Sequence, residues 1–187
     1  MKYYISDMHF FHKNVTKEGN NFDNRPFNSL AEMHQYMKEK WNSKITNGDT
    51  VYILGDIAMR GTNEELIALV AQLKGRKVSD MRYKNIFEEI YDYKEITDYV
   101  DQDAYKLVLS HYPILMWNGQ HRGTIHLYGH THNTYENEFY QECLRRLNME
   151  MLMRSEKCYD IARAYNVGCM MPYMNYEPRT LKEILNK

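Results

Sequence analysis

Short runs of apolar and β-branched residues recur along the chain. Each ends at a polar or glycine position, and segments with helical spacing lie between several of them. Lys2-Tyr3-Tyr4-Ile5 predicts a first strand that breaks at Ser6-Asp7-Met8-His9. Thr16 to Phe27 reads as a loop, rich in Asn and holding Gly19 and Pro26. Ser29-Leu30-Ala31-Glu32 has the form of a capping box, and Leu30, Met33, Met37 and Trp41 follow at helical spacing. After the Asn47-Gly48 turn, Thr50 to Leu54 predicts a second strand that delivers Gly55-Asp56. Thr62-Asn63-Glu64-Glu65 is another capping box, with Leu66, Leu69, Val70 and Leu73 behind it and Gly75 as the stop.

This strand–helix order calls for a parallel strand next. Arg76-Lys77-Val78 begins one, but Ser79-Asp80-Met81-Arg82 is polar, so the strand falls short of the ~5–6 residues usual for a strand. Tyr83 to Ile90 has the pattern of a short helix, Tyr91 to Val100 alternates as a strand, and Asp101-Gln102-Asp103 turns the chain. Tyr105 to Leu109 and Ile125 to Tyr128 predict buried strands that end at Ser110-His111 and Gly129-His130-Thr131-His132. Glu136 to about Tyr159 turns helical, with Tyr140, Leu144, Leu147 and Met151 on one face. Ala164 to Val167 predicts a last strand, and Thr180-Leu181-Lys182-Glu183 caps a short helix. The pattern is α/β, in a single domain over residues 1–187.

Composition narrows the function classes. A formal net charge of −1 leaves no electrostatic footprint of a dedicated nucleic-acid binder, and the 17 tyrosines form no RNA-binding signature. Cys143, Cys158 and Cys169 are far apart, odd in number and make no CxxC pair, so neither a zinc ribbon nor a disulfide framework is indicated, and a reducing cytoplasm fits. No signal peptide is expected, and no apolar run approaches the ~20 residues of a membrane span. Met149, Met151, Met153, Met170 and Met171 read as adaptable packing.

The strand ends carry the chemistry. Asp7-x-His9, Asp56, His111 and His130-x-His132 each follow an apolar run, and a set of carboxylates and imidazoles is what a pair of transition-metal ions requires. Singly, Asp7 is a turn residue, Asp56 a helix cap and His111 a packed core histidine; the set points to metal, with Asp56 between two ions. His130 and His132 share one side of an extended segment, which suits neighbouring ions. His12 and Arg25 are softer candidates. His12 can reach the site from the loop after the first strand, and Arg25 can pair with a phosphate through its planar fork; the alternative is a loop-packing histidine and a surface arginine. His126, inside a strand, reads as structural. Tyr112 and Trp117 line a cleft or join the core.

These blocks, in this order, resemble the calcineurin-like metallophosphoesterases. Ser6-Asp7-Met8-His9-Phe10 through His12-Lys13-Asn14, Arg25-Pro26-Phe27 and His126-Leu127-Tyr128-Gly129-His130-Thr131-His132-Asn133 are similar to the small bacterial single-domain branch of that family. The likeness runs from Met1 to about Asn133 and resumes near Asn166-Val167-Gly168, leaving 136–159 as an insertion or a branch-specific helix. The resemblance implies a four-layer αββα sandwich of two mixed sheets. It implies one ion on Asp7, His9, Asp56 and His132 and a second on Asp56, His111 and His130, the ions being Mn, Fe, Zn or Ni. It further implies hydrolysis of a small phosphomonoester or phosphodiester, nucleotides included, by a hydroxide bridging two metals ~3.5–4 Å apart.

One family block is absent. The GNHD/E segment, whose Asn completes the second ion and whose His serves the leaving group or the phosphate, belongs after Arg76-Lys77-Val78, and no Gly-Asn-His occurs in the chain. A parallel strand cut inside a core is expected to leave a hole and unpaired backbone groups, which favours a segment belonging between Val78 and Ser79 that this chain lacks. A true loss leaves the second ion under-coordinated. Two readings therefore compete with the enzyme: an impaired member that binds one metal or a phosphorylated ligand, and an interaction domain that docks through the 136–159 helix.

Overall fold

The computed structural model describes residues 1–84, 86–87, 89–154 and 160–187. Strands β1 (Lys2–Ile5), β2 (Thr50–Ile53) and β3 (Arg76–Val78) form one sheet in that order, all parallel, with Ile5 opposite Ile53 and Tyr52 opposite Val78. Helix α1 (Leu30–Lys44) connects the first pair and α2 (Asn63–Val70) the second, the long crossover that parallel neighbours require. Strands β4 (Tyr93–Val100), β5 (Asp103–Ser110), β6 (Ile125–Tyr128) and β7 (Arg163–Asn166) form a second sheet in sequence order. Only the β4–β5 hairpin is antiparallel. Of the two mixed sheets expected, the second is mixed; the three strands of the first run parallel, because helices connect them, and an antiparallel bridge between Tyr4 and Arg179 lies on the free edge of β1.

Local chemistry explains most of the helix ends. Thr62–Glu65 and Thr180–Glu183 form complete capping boxes ahead of α2 and α4 (Leu181–Leu185). At α1 the box closes one residue early. Ser29 accepts the Glu32 N–H at 3.1 Å, but the Glu32 carboxylate accepts the Asn28 N–H at 2.6 Å in place of that of Ser29.

The short helix expected over 83–90 is replaced by a 3-10 turn at Met81–Tyr83, started by Asp80, whose carboxylate accepts the Arg82 N–H at 3.0 Å. Asn85 and Glu88 of that span lie outside the described residues. The unpaired backbone groups expected where β3 stops are not found at Ser79, although its buried hydroxyl has no partner among the described residues. Its N–H donates to the Glu89 carbonyl at 3.1 Å and its carbonyl accepts from Tyr91 at 2.7 Å, in a parallel bridge to Ile90. The chain satisfies the cut strand with a polar loop that returns along its edge.

Both sheets feed one buried cluster. Ile5, Val51 and Ile53 from the first meet Leu107, Leu109, Ile125 and Leu127 from the second, with Met33, Met37 and Trp41 of α1. The alternate face of the second sheet, Val108, Tyr128 and Ala164, packs with Trp117 and with Tyr140 and Leu144 of α3 (Tyr135–Arg154). The sequence placed the end of that helix near Tyr159; residues 155–159 lie outside the described set. Met170 and Met171 are buried, but Met149 and Met153 are 62% and 79% exposed, which corrects their reading as packing. Among the described residues no helix is long and apolar enough to cross a membrane.

Candidate metal centre

The parallel strands β1, β2 and β6 and the end of β5 deliver their polar residues to one place. The loops after them are zipped at the base. Asp7 N–H donates to the Gly55 carbonyl at 3.2 Å, His9 N–H to that of Asp56 at 2.9 Å, and Gly129 N–H to that of His111 at 2.9 Å. Gly129 is required at the closest approach, since a Cβ there would lie 2.4 Å from Asp7 Oδ2. The backbone leaves ordinary strand geometry to aim the side chains. Asp7, His9, Asp56, His130 and His132 all have positive φ, from 44° to 69°, in the left-handed region that non-glycine residues avoid.

The six residues that the sequence singled out as ligands converge in two groups, Asp7–His9–His132 and Asp56–His111–His130. Within each, one donor atom per residue lies within 4.8 Å of the others, and all but His130 are buried. His9 Nε2 and His132 Nε2 are 3.0 Å apart. Two nitrogens on one tetrahedral ion at ~2.0–2.1 Å stand about 3.3 Å apart, so the pair is spaced as ligands of a shared ion. Asp56 Oδ2 lies 3.8 Å from His9 Nε2 and 3.4 Å from His111 Nε2, between the groups. His111 Nδ1 is 2.6 Å from the Leu54 carbonyl, which fixes the proton there. Nε2 is buried and faces Asp56 Oδ2; burial lowers the pKa of this ring, but the neighbouring Asp56 and Asp7 carboxylates outweigh burial and raise it.

Electrostatics suit cations. Burial pushes His9 down to about 3, helped by the charges of Arg25 and His132. Burial and the nearby His111 also lower His130. Both imidazoles are thus held in the neutral, ligating form. Burial raises Asp7, against the pull of His132 and His111. Burial also pushes Asp56 up, but His111 beside it and the Arg82 guanidinium outweigh this and hold the carboxyl well below the usual range. The donor set of three carboxylate or imidazole ligands on each side fits divalent transition ions.

The two softer candidates separate. His12 stands beside the ligands, its ring 5.5 Å from that of His9 and 5.7 Å from that of Phe22, with Nδ1 unpartnered. Arg25 is 1% exposed, so neither a phosphate partner nor a surface arginine describes it. Its guanidinium donates to the carbonyls of Asp7 at 2.8 Å and Met8 at 2.9 Å and to Asp23 at 2.9 Å, buttressing the ligand loop from behind. His126, fully buried, accepts from the Ile114 N–H at 3.1 Å and is a framework residue; Trp117 joins the core and Tyr112 stays exposed against His130.

Sequence reasoning missed three residues. Asp23 Oδ2 lies 3.0 Å from His132 Nδ1, an arrangement that orients a ligating imidazole. Asn166 donates to the His132 carbonyl at 2.9 Å and to Thr131 at 3.2 Å, holding that loop against β7. Arg82 pairs with Asp56. In the Asn-rich loop Asp23 has the pattern of one more turn residue, and in the polar run after Val78 nothing in the spacing marks Arg82 as a partner of Asp56.

A comparison with protein families finds none that matches the chain. Over 138 residues, 73% of this chain and 72% of the relative, it is 29% identical to the uncharacterized protein MJ1445 of Methanocaldococcus jannaschii. The crystal structure of the protein of unknown function AQ665 from Aquifex aeolicus has a similar fold, with a TM-score of 0.57 at 22% identity, covering 100% of this chain and 98% of that one.

Proposed function

We propose that the chain is a metal-dependent phosphoesterase of the calcineurin-like kind, its two sheets being the inner layers of an αββα sandwich. The observation that carries the reading is the place of Asp56, whose Oδ2 stands 3.8 Å and 3.4 Å from the Nε2 atoms of two different ligand groups. Asp7, His9 and His132 hold one divalent ion, and Asp56 joins them to His111 and His130. Bound there, such ions supply Lewis acidity toward a phosphoryl oxygen and lower the pKa of water to near neutral.

The protein groups do the rest. Asp56 and Asp7 supply the negative charge that retains cations in a buried site. The left-handed loops hold the imidazoles in place before substrate arrives. His12 is the uncommitted imidazole beside them, and we assign it the hydrogen bond to the leaving oxygen. An open cleft of about 430 Å³, bordered by Phe22, His130, His132, Tyr135 and Glu136, admits a small phosphate ester.

The test is an assay of the purified chain on an aryl phosphodiester and an aryl phosphomonoester, with Mn and after chelation. Metal-dependent turnover is expected, lost in Asp56→Asn together with bound metal. No metal-dependent turnover, with Asp56→Asn indistinguishable from the parent, removes the reading.

A further inference from the structure

Arg82 reaches the carboxylate on which the two ligand groups meet. Its Nη1 bonds Asp56 Oδ1, while Oδ2 of the same carboxylate faces His9 and His111. The guanidinium is anchored from its other side. Nη2 lies 2.8 Å from Asp80 Oδ2, Nε 3.3 Å from Asp80 Oδ1, and the Arg82 N–H donates to that same oxygen at 3.0 Å. Asp80 is nearly buried, and because its carboxylate also starts the 3-10 turn, the turn itself aims the arginine. The backbone just after β2 makes room for it. A Cβ on Gly55 would lie 2.6 Å from Arg82 Nη2 and 2.5 Å from His111 Nδ1, so the guanidinium lies over a glycine beside a candidate ligand.

From this geometry we infer that Arg82 serves as the resident cation of the second half of the centre. It neutralises Asp56 Oδ1, and an ion on Asp56, His111 and His130 must compete with it. A guanidinium and a divalent ion on the two oxygens of one carboxylate repel each other, and the oxygen that Arg82 holds is no longer a free donor. Among the described residues the Asp7–His9–His132 half meets no such rival: Arg25, the arginine behind it, is turned to backbone carbonyls and Asp23. The chain therefore takes one ion tightly and a second only weakly. This rests on the metal-centre reading above, and it gives the loop after β3 a role: a short β3 and an early turn bring an arginine to the site.

The test is metal stoichiometry, independent of turnover. The purified chain is stripped, loaded with Mn, passed through gel filtration, and its metal content and electron paramagnetic resonance spectrum are recorded. The parent is expected to retain one Mn per chain with an uncoupled signal. Arg82→Gln, at a half-exposed position, is expected to retain close to two, with an exchange-coupled signal and at least tenfold tighter binding of the second ion. Asp80→Asn, which loosens the anchor, is expected to fall between. Two coupled ions in the parent, or one ion in both the parent and Arg82→Gln, overturns the role of Arg82 and leaves the centre standing. No retained Mn in any of them overturns the centre as well.

Discussion

His132 Nδ1 lies 3.0 Å from Asp23 Oδ2, a carboxylate 109 residues earlier in the chain. The contact turns the opposite nitrogen of the ring toward His9, and Arg25 holds Asp23 in place by a bond of 2.9 Å. Supports of this kind typically govern affinity by 10–100-fold. Asp23→Asn is expected to weaken the first ion by about that factor while the fold persists, read by competition with a chromophoric chelator. Parental affinity in the variant would count against the arrangement.

A ligand that binds only the folded chain raises its stability. At a free Mn concentration 100 times the dissociation constant the gain is about 2.7 kcal/mol, which for a chain of this length corresponds to roughly 5–10 °C in Tm. The rise is expected in a thermal melt, reversed by EDTA. In His9→Asn it should vanish, and asparagine tolerates the positive φ at that position, so the loss reports the ligand and not the backbone.

His126 sets a pH dependence away from the centre. Burial pushes its pKa down from 6.5 to about 4, against hydrogen bonds to backbone that partly offset the shift. Between those values the unfolded chain takes up a proton that the folded chain refuses, so stability rises with pH through this window and levels off above it. From pH 7 to pH 5 the expected loss from this group is about 2 kcal/mol. Urea midpoints at the two pH values, for the parent and for His126→Gln, measure it. The variant should lose less on acidification, and an equal loss would assign the effect elsewhere.

The Tyr4 hydroxyl donates to Asp98 Oδ2 at 2.7 Å in a buried bond that ties β1 of one sheet to β4 of the other. Tyr4→Phe leaves a nearly buried carboxylate with Lys2, 3.6 Å from its other oxygen, and a loss of about 1–3 kcal/mol is expected by chemical denaturation. Tyr99→Phe, at a residue 62% exposed, should change little.

Much of this was legible in the chain because it is local. Apolar runs that stop at Asp7, Asp56, His111 and His130 mark strand ends, and strand ends are where parallel sheets present side chains. Thr62–Glu65 and Thr180–Glu183 cap their helices within one turn, so their spacing sufficed. What was not legible depends on contacts distant in sequence. Asp23 and Asn166 gain their roles from His132, 109 and 34 residues away. Arg25 looked like a phosphate ligand or a surface group because nothing nearby in sequence shows that two backbone carbonyls wait for it in the core. The end of β3 has the sequence pattern of a defect because the strand-like partner of Ser79, at Ile90, follows a polar loop of no clear period.

The left-handed residues around the centre have a consequence for how such a chain is kept. Glycine at position 7, 9, 56, 130 or 132 would relieve on the order of 1 kcal/mol of backbone strain at each, and five such sites are a sizeable part of the few kcal/mol by which a domain is folded at all. At the exposed His130 glycine brings that relief without opening a cavity, whereas at position 7 it would also remove a carboxylate that accepts the His130 N–H at 3.0 Å. Robustness and chemistry are therefore opposed at position 130, and in metal-free buffer a disarmed variant, His130→Gly, should be the sturdier protein.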